Sequence, residues 1–312
     1  MFKTILLGIL LETLPFLLLG VIVSSLMQQF VSERFIRKCI PRNPLLGVPF
    51  ALVLGFLFPV CECGLIPIVR RLLAKGMPLY IGIVFIVVGP IVNPVVIAAT
   101  YTAFRSRPDL IYSRMGLALA AGLLIGLIIY FFVKGNPLEN KQSAADERQH
   151  SHSCGLEKEH ADIHANPHTI HTNKPNKLLT MVDHAGNEFF DMGKYVMLGS
   201  ILTAAIQTFL PRTNLVDIGQ AEFSSIFFMM SFAYILSICS TSDAFVASSF
   251  ASIFSSSSLL AFLVFGPMLD FKSTLMLMSV FKKRFVLLLS VLIFITVFAG
   301  ALLLGYWYFP SN

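Results

Sequence analysis

Eight runs of about twenty apolar residues, four on each side of a single polar insert, leave this chain one setting in which to fold. They cover roughly residues 5–27, 45–69, 79–104, 115–133, 192–210, 223–245, 259–280 and 285–308. Each is long enough, as a helix rising about 1.5 Å per residue, to cross a hydrocarbon core about 30 Å thick. A chain of 312 residues with 56% hydrophobic and 13% charged residues, and a mean hydropathy of +0.77, is too apolar for a soluble domain. Lipid offers no partner to a free backbone amide or carbonyl, so spans this long must be helical. The expected fold is an all-α integral membrane protein of about eight transmembrane helices in the cell membrane. Its segments are a first membrane unit (1–134), a polar loop (135–188) and a second membrane unit (189–312).

The two membrane units repeat one another. Glu12, Phe16, Gly20, Gln28 and Phe30 match Asp191, Tyr195, Gly199, Gln207 and Phe209 at an offset of 179 residues. Cys61-Glu62-Cys63-Gly64 faces Cys239-Ser240-Thr241-Ser242, followed by Asp243, at an offset of 178. Gly89-Pro90-x-x-Asn93 faces Gly266-Pro267-x-x-Asp270 at 177. A drift of one residue per motif is what a duplication with small deletions leaves, and it gives two four-helix repeats with interrupted or re-entrant segments.

The basic residues serve topology. A net charge of +6 does not point to nucleic acid, because Lys and Arg collect in short connections between spans. Arg34, Arg37, Lys38, Arg42, Arg105, Arg107, Arg114, Lys282, Lys283 and Arg284 would be cytoplasmic if every span crosses, with both ends and the insert outside. Arg70, Arg71 and Lys75 contradict that arrangement unless the chain turns back near Cys61 as a hairpin. Four crossings per half make the repeats parallel; one hairpin per half makes them inverted. The first span, preceded only by Lys3, is too long for a signal-peptide core and shows no small-x-small cleavage site, so it reads as a retained helix.

The insert has almost no apolar periodicity and reads as a flexible linker. It holds all seven histidines, His150, His152, His160, His164, His168, His171 and His184, together with Cys154. Imidazole and thiolate suit zinc, copper and nickel, so the tract is a candidate for weak transition-metal binding; the bland reading is a solvated loop. No cofactor is required by any motif.

Glycine, proline and small polar residues within a span free backbone groups that only protein, water or substrate can satisfy, so a break belongs at a cavity. Pro59, Gly64 and Pro67 bracket Cys61 and Cys63, and Gly89, Pro90 and Pro94 bracket Asn93. In the second half a polar run, Ser240 to Asp243, follows Cys239, and Gly266-Pro267 precedes Asp270 and Lys272. Charges at such depth are functional candidates by default, above all Glu62, Asp243, Asp270 and Lys272. Asp270 and Lys272 would also fit a mutually neutralising pair, and Glu12, Asp191 and Lys194 fit positions near span ends. Cys61, Cys63 and Cys239 would together form a three-thiol site for trivalent arsenic or antimony, Cu(I) or Zn(II), or simply pack as small hydrophobes at the breaks. Five cysteines imply no disulfide framework, and Cys39 has no evident role.

The segments Phe58-Pro59-Val60-Cys61-Glu62-Cys63-Gly64-Leu65-Ile66-Pro67, Gly89-Pro90-Ile91-Val92-Asn93-Pro94, Cys239 to Phe245 and Gly266 to Lys272 resemble the predicted permease family that includes the methylarsenite efflux permease ArsP. The resemblance covers both membrane units and excludes the histidine tract. It implies an eight-helix permease of the inner or plasma membrane. In the arsenical branch it implies that Cys61, Cys63 and Cys239 take the part of the thiols that bind the trivalent organoarsenical. Similarity to Bacillus members that work beside a second membrane protein implies such a partner here.

These readings favour secondary transport of a small solute, such as a soft metal or metalloid species, with no enzymatic activity. Cys61, Cys63 and Cys239 would bind the substrate, Asn93, Ser240 and Thr241 would supply neutral ligands, and Glu62, Asp243 and Asp270 would carry a coupling proton or ion. No Walker phosphate loop is present, so any ATP would be used by a partner. An intramembrane thiol redox enzyme is disfavoured because no histidine falls in a span to activate a thiol. A metal-sensing or metal-handling subunit with the tract as receptor remains as the other alternative, but an inert anchor has no need of matched breaks.

Overall fold

The computed structural model describes residues 2–30, 44–57, 61–105, 107–133, 177–209, 222–251 and 253–308. Twelve helices lie among these residues. They are α1 (Phe2–Phe30), α2 (Pro44–Leu57), α3 (Glu62–Ala74), α4 (Leu79–Val92), α5 (Pro94–Ala103) and α6 (Pro108–Phe132), then α7 (Lys177–Phe209), α8 (Glu222–Leu236), α9 (Asp243–Ser249), α10 (Ser256–Met268), α11 (Phe271–Val280) and α12 (Lys283–Trp307). Five segments are long and apolar enough to cross a membrane: Phe2–Leu26, Leu79–Ala103, Pro108–Phe132, Ser256–Val280 and Lys283–Trp307. The protein is therefore a multi-pass membrane protein. Helix α7 starts inside the polar tract and runs for 33 residues, about 50 Å at the usual helical rise.

The runs at 45–69 and 223–245 are interrupted, one of the arrangements the sequence left open. Each is two short helices, α2 with α3 and α8 with α9, and α2, at 14 residues, is about 21 Å long, too short for the hydrocarbon core. Packing against α4 gives their directions. In α2, Gly47 meets Tyr80 and Ile81 while Gly55 meets Gly89, so α2 runs parallel to α4. In α3, Leu65 meets Gly89 while Val69 and Leu73 meet Gly82, so α3 runs back alongside it. Glycine lets the backbones of the two arms approach α4 closely, at Gly55 against Gly89 and at Gly82 against Val69 and Leu73. In the second half Ser258 Oγ donates to Ser225 Oγ (2.8 Å) and Gly266 faces Ala233, so α8 likewise runs parallel to α10.

Two ends of the bundle follow from these contacts. One end holds the Tyr80–Tyr130 edge-to-face ring pair and the contact of Ser279 Oγ with Met192 Sδ (3.6 Å). The other holds the Phe223–Phe298 pair and the hydrogen bond from Arg107 to Ser256 (3.2 Å). The buried core belongs mainly to α4 and α10, which pack on each other and are apolar on all sides, as befits helices enclosed by the bundle. Leucines and phenylalanines of α1, α6, α7 and α12 are exposed, in keeping with a lipid-facing rim.

Candidate functional site

The helix breaks gather in the interior. Cys61 caps α3, and its carbonyl accepts from Gly64 N and Leu65 N, both at 3.1 Å. The Cys239 carbonyl accepts in the same way from Ser242 N (2.9 Å) and Asp243 N (3.0 Å), opening α9. At the other two breaks the polar side chain is the cap. Asn93 Oδ1 accepts from Val95 N at 2.9 Å to open α5. Asp270 Oδ1 accepts from Ser273 N, and Ser273 Oγ accepts from Asp270 N at 3.1 Å, a complete capping box that opens α11. Pro94, at the first position of α5, lacks the donor that a helix start leaves unused in any case. Pro67, Pro90 and Pro267 sit inside α3, α4 and α10, the last two near the C-terminal ends where these helices stop.

Packing brings the two halves together here. Helix α3 packs on α11, and α9 packs on α5. Glycines permit the close approach. A Cβ on Gly20 of α1 would lie 2.4 Å from Gly64 Cα, and one on Gly199 of α7 would lie 3.3 Å from Lys272 Cα. Because the neighbour of Gly20 is backbone and cannot swing aside, Gly20→Ala is expected to cost at least the 1–3 kcal/mol typical of overpacking. A fall in the melting midpoint of the detergent-solubilised protein would report it.

The chemistry is concentrated on one side of this junction. Glu62 (4% exposed), Asp270 (1%) and Lys272 (1%) are buried. Glu62 Oε2 and Asp270 Oδ2 have no hydrogen-bond partner among the described residues. Lys272 lies within electrostatic range of Glu62, Asp270, Cys63 and Cys239, yet no carboxylate stands within 4 Å of it among the described residues. Asp270 and Lys272 thus make no direct salt bridge, while their charges still act on one another. Cys61, Cys63 and Cys239 are all free and buried. Cys61 and Cys63 stand at the start of α3, and Thr241 Oγ1 donates to Cys239 Sγ at 3.7 Å. Among the described residues no three His, Cys, Asp or Glu side chains are grouped closely enough to hold a metal ion, so the three thiols do not form one ligand set in this conformation.

Asp243 is in a different position. Arg114 of α6 grips it through two bonds, NH2 to Oδ2 at 2.7 Å and NH1 to Oδ1 at 3.3 Å, and NH1 also donates to Thr100 Oγ1 at 2.8 Å. Arg114 is 1% exposed, so it is an interior residue and not the connection charge expected from its neighbours Arg105 and Arg107. The apolar run at 115–133 begins just past Arg114, whereas α6 already starts at Pro108 and so carries Arg114 inside the helix. Ser242 Oγ donates to Glu12 at 3.1 Å, which brings Glu12 to the tip of the second broken segment instead of a span end. Asp191 and Lys194 pair at 2.9 Å with both side chains more than half exposed. Ser240 is buried and Asn93 is spent as a cap. His150, His152, Cys154, His160, His164, His168 and His171 lie outside the described residues, and His184 falls within α7.

A bundle of apolar helices broken around buried thiols and charges defines a membrane permease, and similarity to known proteins agrees. The family described as predicted permease, ArsP_1, matches residues 1–306, and the chain belongs to it. UPF0718 protein YcgR of Bacillus subtilis (strain 168) is 46% identical over 301 residues, covering 96% of each chain. A Streptococcus mutans protein named as a two-component membrane permease complex subunit is 34% identical over 283 residues, covering 91% of this chain and 88% of its own. No solved structure matches.

Proposed function

We propose that this permease is a secondary transporter of a small solute of the soft metal or metalloid class, moved through the junction where the broken helices of the two halves meet. The observation that carries the reading is the set of free thiols, carboxylate oxygens without a hydrogen-bond partner and a lysine without a salt bridge among the described residues, all buried at or near helix starts contributed by both halves. Burying such groups in lipid is costly without a ligand to meet them. The adjacent thiols of Cys61 and Cys63 are the first ligands, joined by Cys239, Ser240 and Thr241 once the halves move. Glu62 and Asp270 carry the coupling ion. Asp243 leaves that role, because Arg114 already neutralises it, and Asn93 serves as a cap.

Alternating access is proposed to use a duplicated, inverted architecture. Within each half the same positions touch: Gly55 and Gly89 match Ala233 and Gly266, and Gly47 and Ile81 match Ser225 and Ser258. With α2–α3 and α8–α9 as hairpins, each half crosses three times and the halves are inverted. Arg34, Arg37, Lys38, Arg42, Arg70, Arg71, Lys75, Lys282, Lys283 and Arg284 then share one side, which the positive-inside rule makes cytoplasmic. The histidine tract falls on that side too, opposite to what full crossing of every run would give. Accordingly, Cys154 is expected to resist a membrane-impermeant maleimide in intact cells and to react in inverted vesicles; labelling in intact cells would defeat this topology.

The test of transport is expression in a metal- and arsenical-sensitive bacterial host. Cell-associated arsenic, antimony, zinc and copper would be measured beside a Cys61→Ser/Cys63→Ser variant. One element should change with the wild type and revert in the variant; no change in any element would reject the soft-element substrate. The Streptococcus relative's name favours a second membrane protein as partner. The alternative, a metal-handling subunit whose receptor is the histidine tract, would lose its effect when the tract is deleted, whereas a transporter would keep its core activity.

A further inference from the structure

The two halves, so alike inside, are packed differently against each other. Helix α1 packs on α3, with Gly20 against Gly64 and Ser24 Oγ donating to the Pro67 carbonyl at 3.3 Å. Its counterpart α7 has no comparable packing on α9, the counterpart of α3. Helix α7 packs instead on α11, with Gly199 against Lys272 and Ser279 against Met192, while α1 has no comparable packing on α5, the counterpart of α11. One long helix leans on the hairpin of its half and the other leans on the crossing segment of its half.

An independent observation marks the same asymmetry. Thr203 stands at the position of Ser24, 179 residues later. Its hydroxyl is buried (1% exposed) and has no hydrogen-bond partner among the described residues, and the Ser200 hydroxyl one turn earlier is in the same condition. A buried hydroxyl without a partner costs about 1–3 kcal/mol. The partner that symmetry supplies to Thr203 is the Phe245 carbonyl, the counterpart of Pro67 at an offset of 178.

We infer that the protein has a second state in which the halves exchange these packings, α7 closing on α9 and α1 moving from α3 to α5, with Thr203 donating to the Phe245 carbonyl. In that state Gly199 meets Ser242 and Gly20 meets Val95, the counterparts of Gly64 and Lys272. The exchange turns the junction from one end of the bundle to the other, because inverted halves carry opposite access. It rests on the duplicated, inverted reading above, and it assigns Ser24 and Thr203 opposite effects on one equilibrium.

Full-length protein in native membranes would carry one introduced pair at a time. Met192→Cys/Ser279→Cys reports the packing seen here, and Thr13→Cys/Thr102→Cys, at the matched positions, reports the exchanged one. Initial rates of oxidative cross-linking would be read by mass spectrometry, which separates these peptides from those of the native thiols. Both pairs should cross-link. Thr203→Val should slow the 13–102 reaction about fivefold, the factor an ordinary hydrogen bond carries, and Ser24→Ala should slow the 192–279 reaction by about as much. The inference is overturned if the 192–279 pair forms and the 13–102 pair does not, if neither forms, or if both substitutions shift the two rates in the same direction. Because element accumulation by the unsubstituted protein is measured separately, a missing 13–102 cross-link leaves transport itself standing.

Discussion

Arg114→Met is expected to destabilise the protein by about 3–5 kcal/mol and to abolish transport, the largest single effect foreseen outside the thiols. The side chain is enclosed, and its fork holds both oxygens of Asp243 while also meeting Thr100, whose own hydroxyl donates to Val96 O at 2.7 Å. Removing the cation leaves a carboxylate buried with no charge opposite it. Asp243→Leu leaves the guanidinium in the same predicament. Replacing both together restores the charge balance, so Arg114→Met/Asp243→Leu should recover most of the lost stability, as buried pairs exchanged for apolar residues commonly do. Transport should stay lost in the double variant, because the pair ties α9 of the second half to α5 and α6 of the first. Arg114→Lys keeps the charge but not the two-pronged geometry and should fall between. Melting midpoints in detergent and cell-associated element content give the two readings; equal destabilisation of single and double variants would contradict the argument.

What the sequence revealed depended on whether a signal was local. The break motifs at Cys61, Asn93, Cys239 and Asp270 are written in proline, glycine and capping residues, and each turned out to start a helix. Burial of Glu62, Asp243, Asp270 and Lys272 followed from their apolar surroundings. Chain direction stayed open, because an apolar run of 25 residues reads alike whether it crosses or doubles back and Arg70, Arg71 and Lys75 only hinted at a turn; the contacts of Gly55 and Leu65 with the same glycine, Gly89, separate the two. The role of Arg114 was hidden for a similar reason. Near a span end a lone arginine looks like a topology determinant, and its partner is 129 positions away. Likewise Glu12 owes its place beside Ser242 to a contact 230 positions distant, which no periodicity announces.

Lys272→Met should have a comparably large effect for a related reason. With Asp243 neutralised by Arg114, the remaining buried set is two carboxylates, Glu62 and Asp270, against one ammonium. Without Lys272 both acids would face each other and the thiols in a low-dielectric interior, so stability should fall by about 3 kcal/mol or more. Glu62→Gln added to Lys272→Met removes one of the two charges and should return part of that loss, while Asp270→Asn should return less, since Asp270 also caps α11 and holds Ser273. Lys272 also lies within electrostatic range of Cys63 and Cys239, the thiols proposed to bind the substrate. Because the Glu62→Gln/Lys272→Met double variant also lacks the carboxylate assigned to the coupling ion, transport should stay lost while the melting midpoint recovers in part; a midpoint no higher than that of Lys272→Met alone would contradict the charge argument.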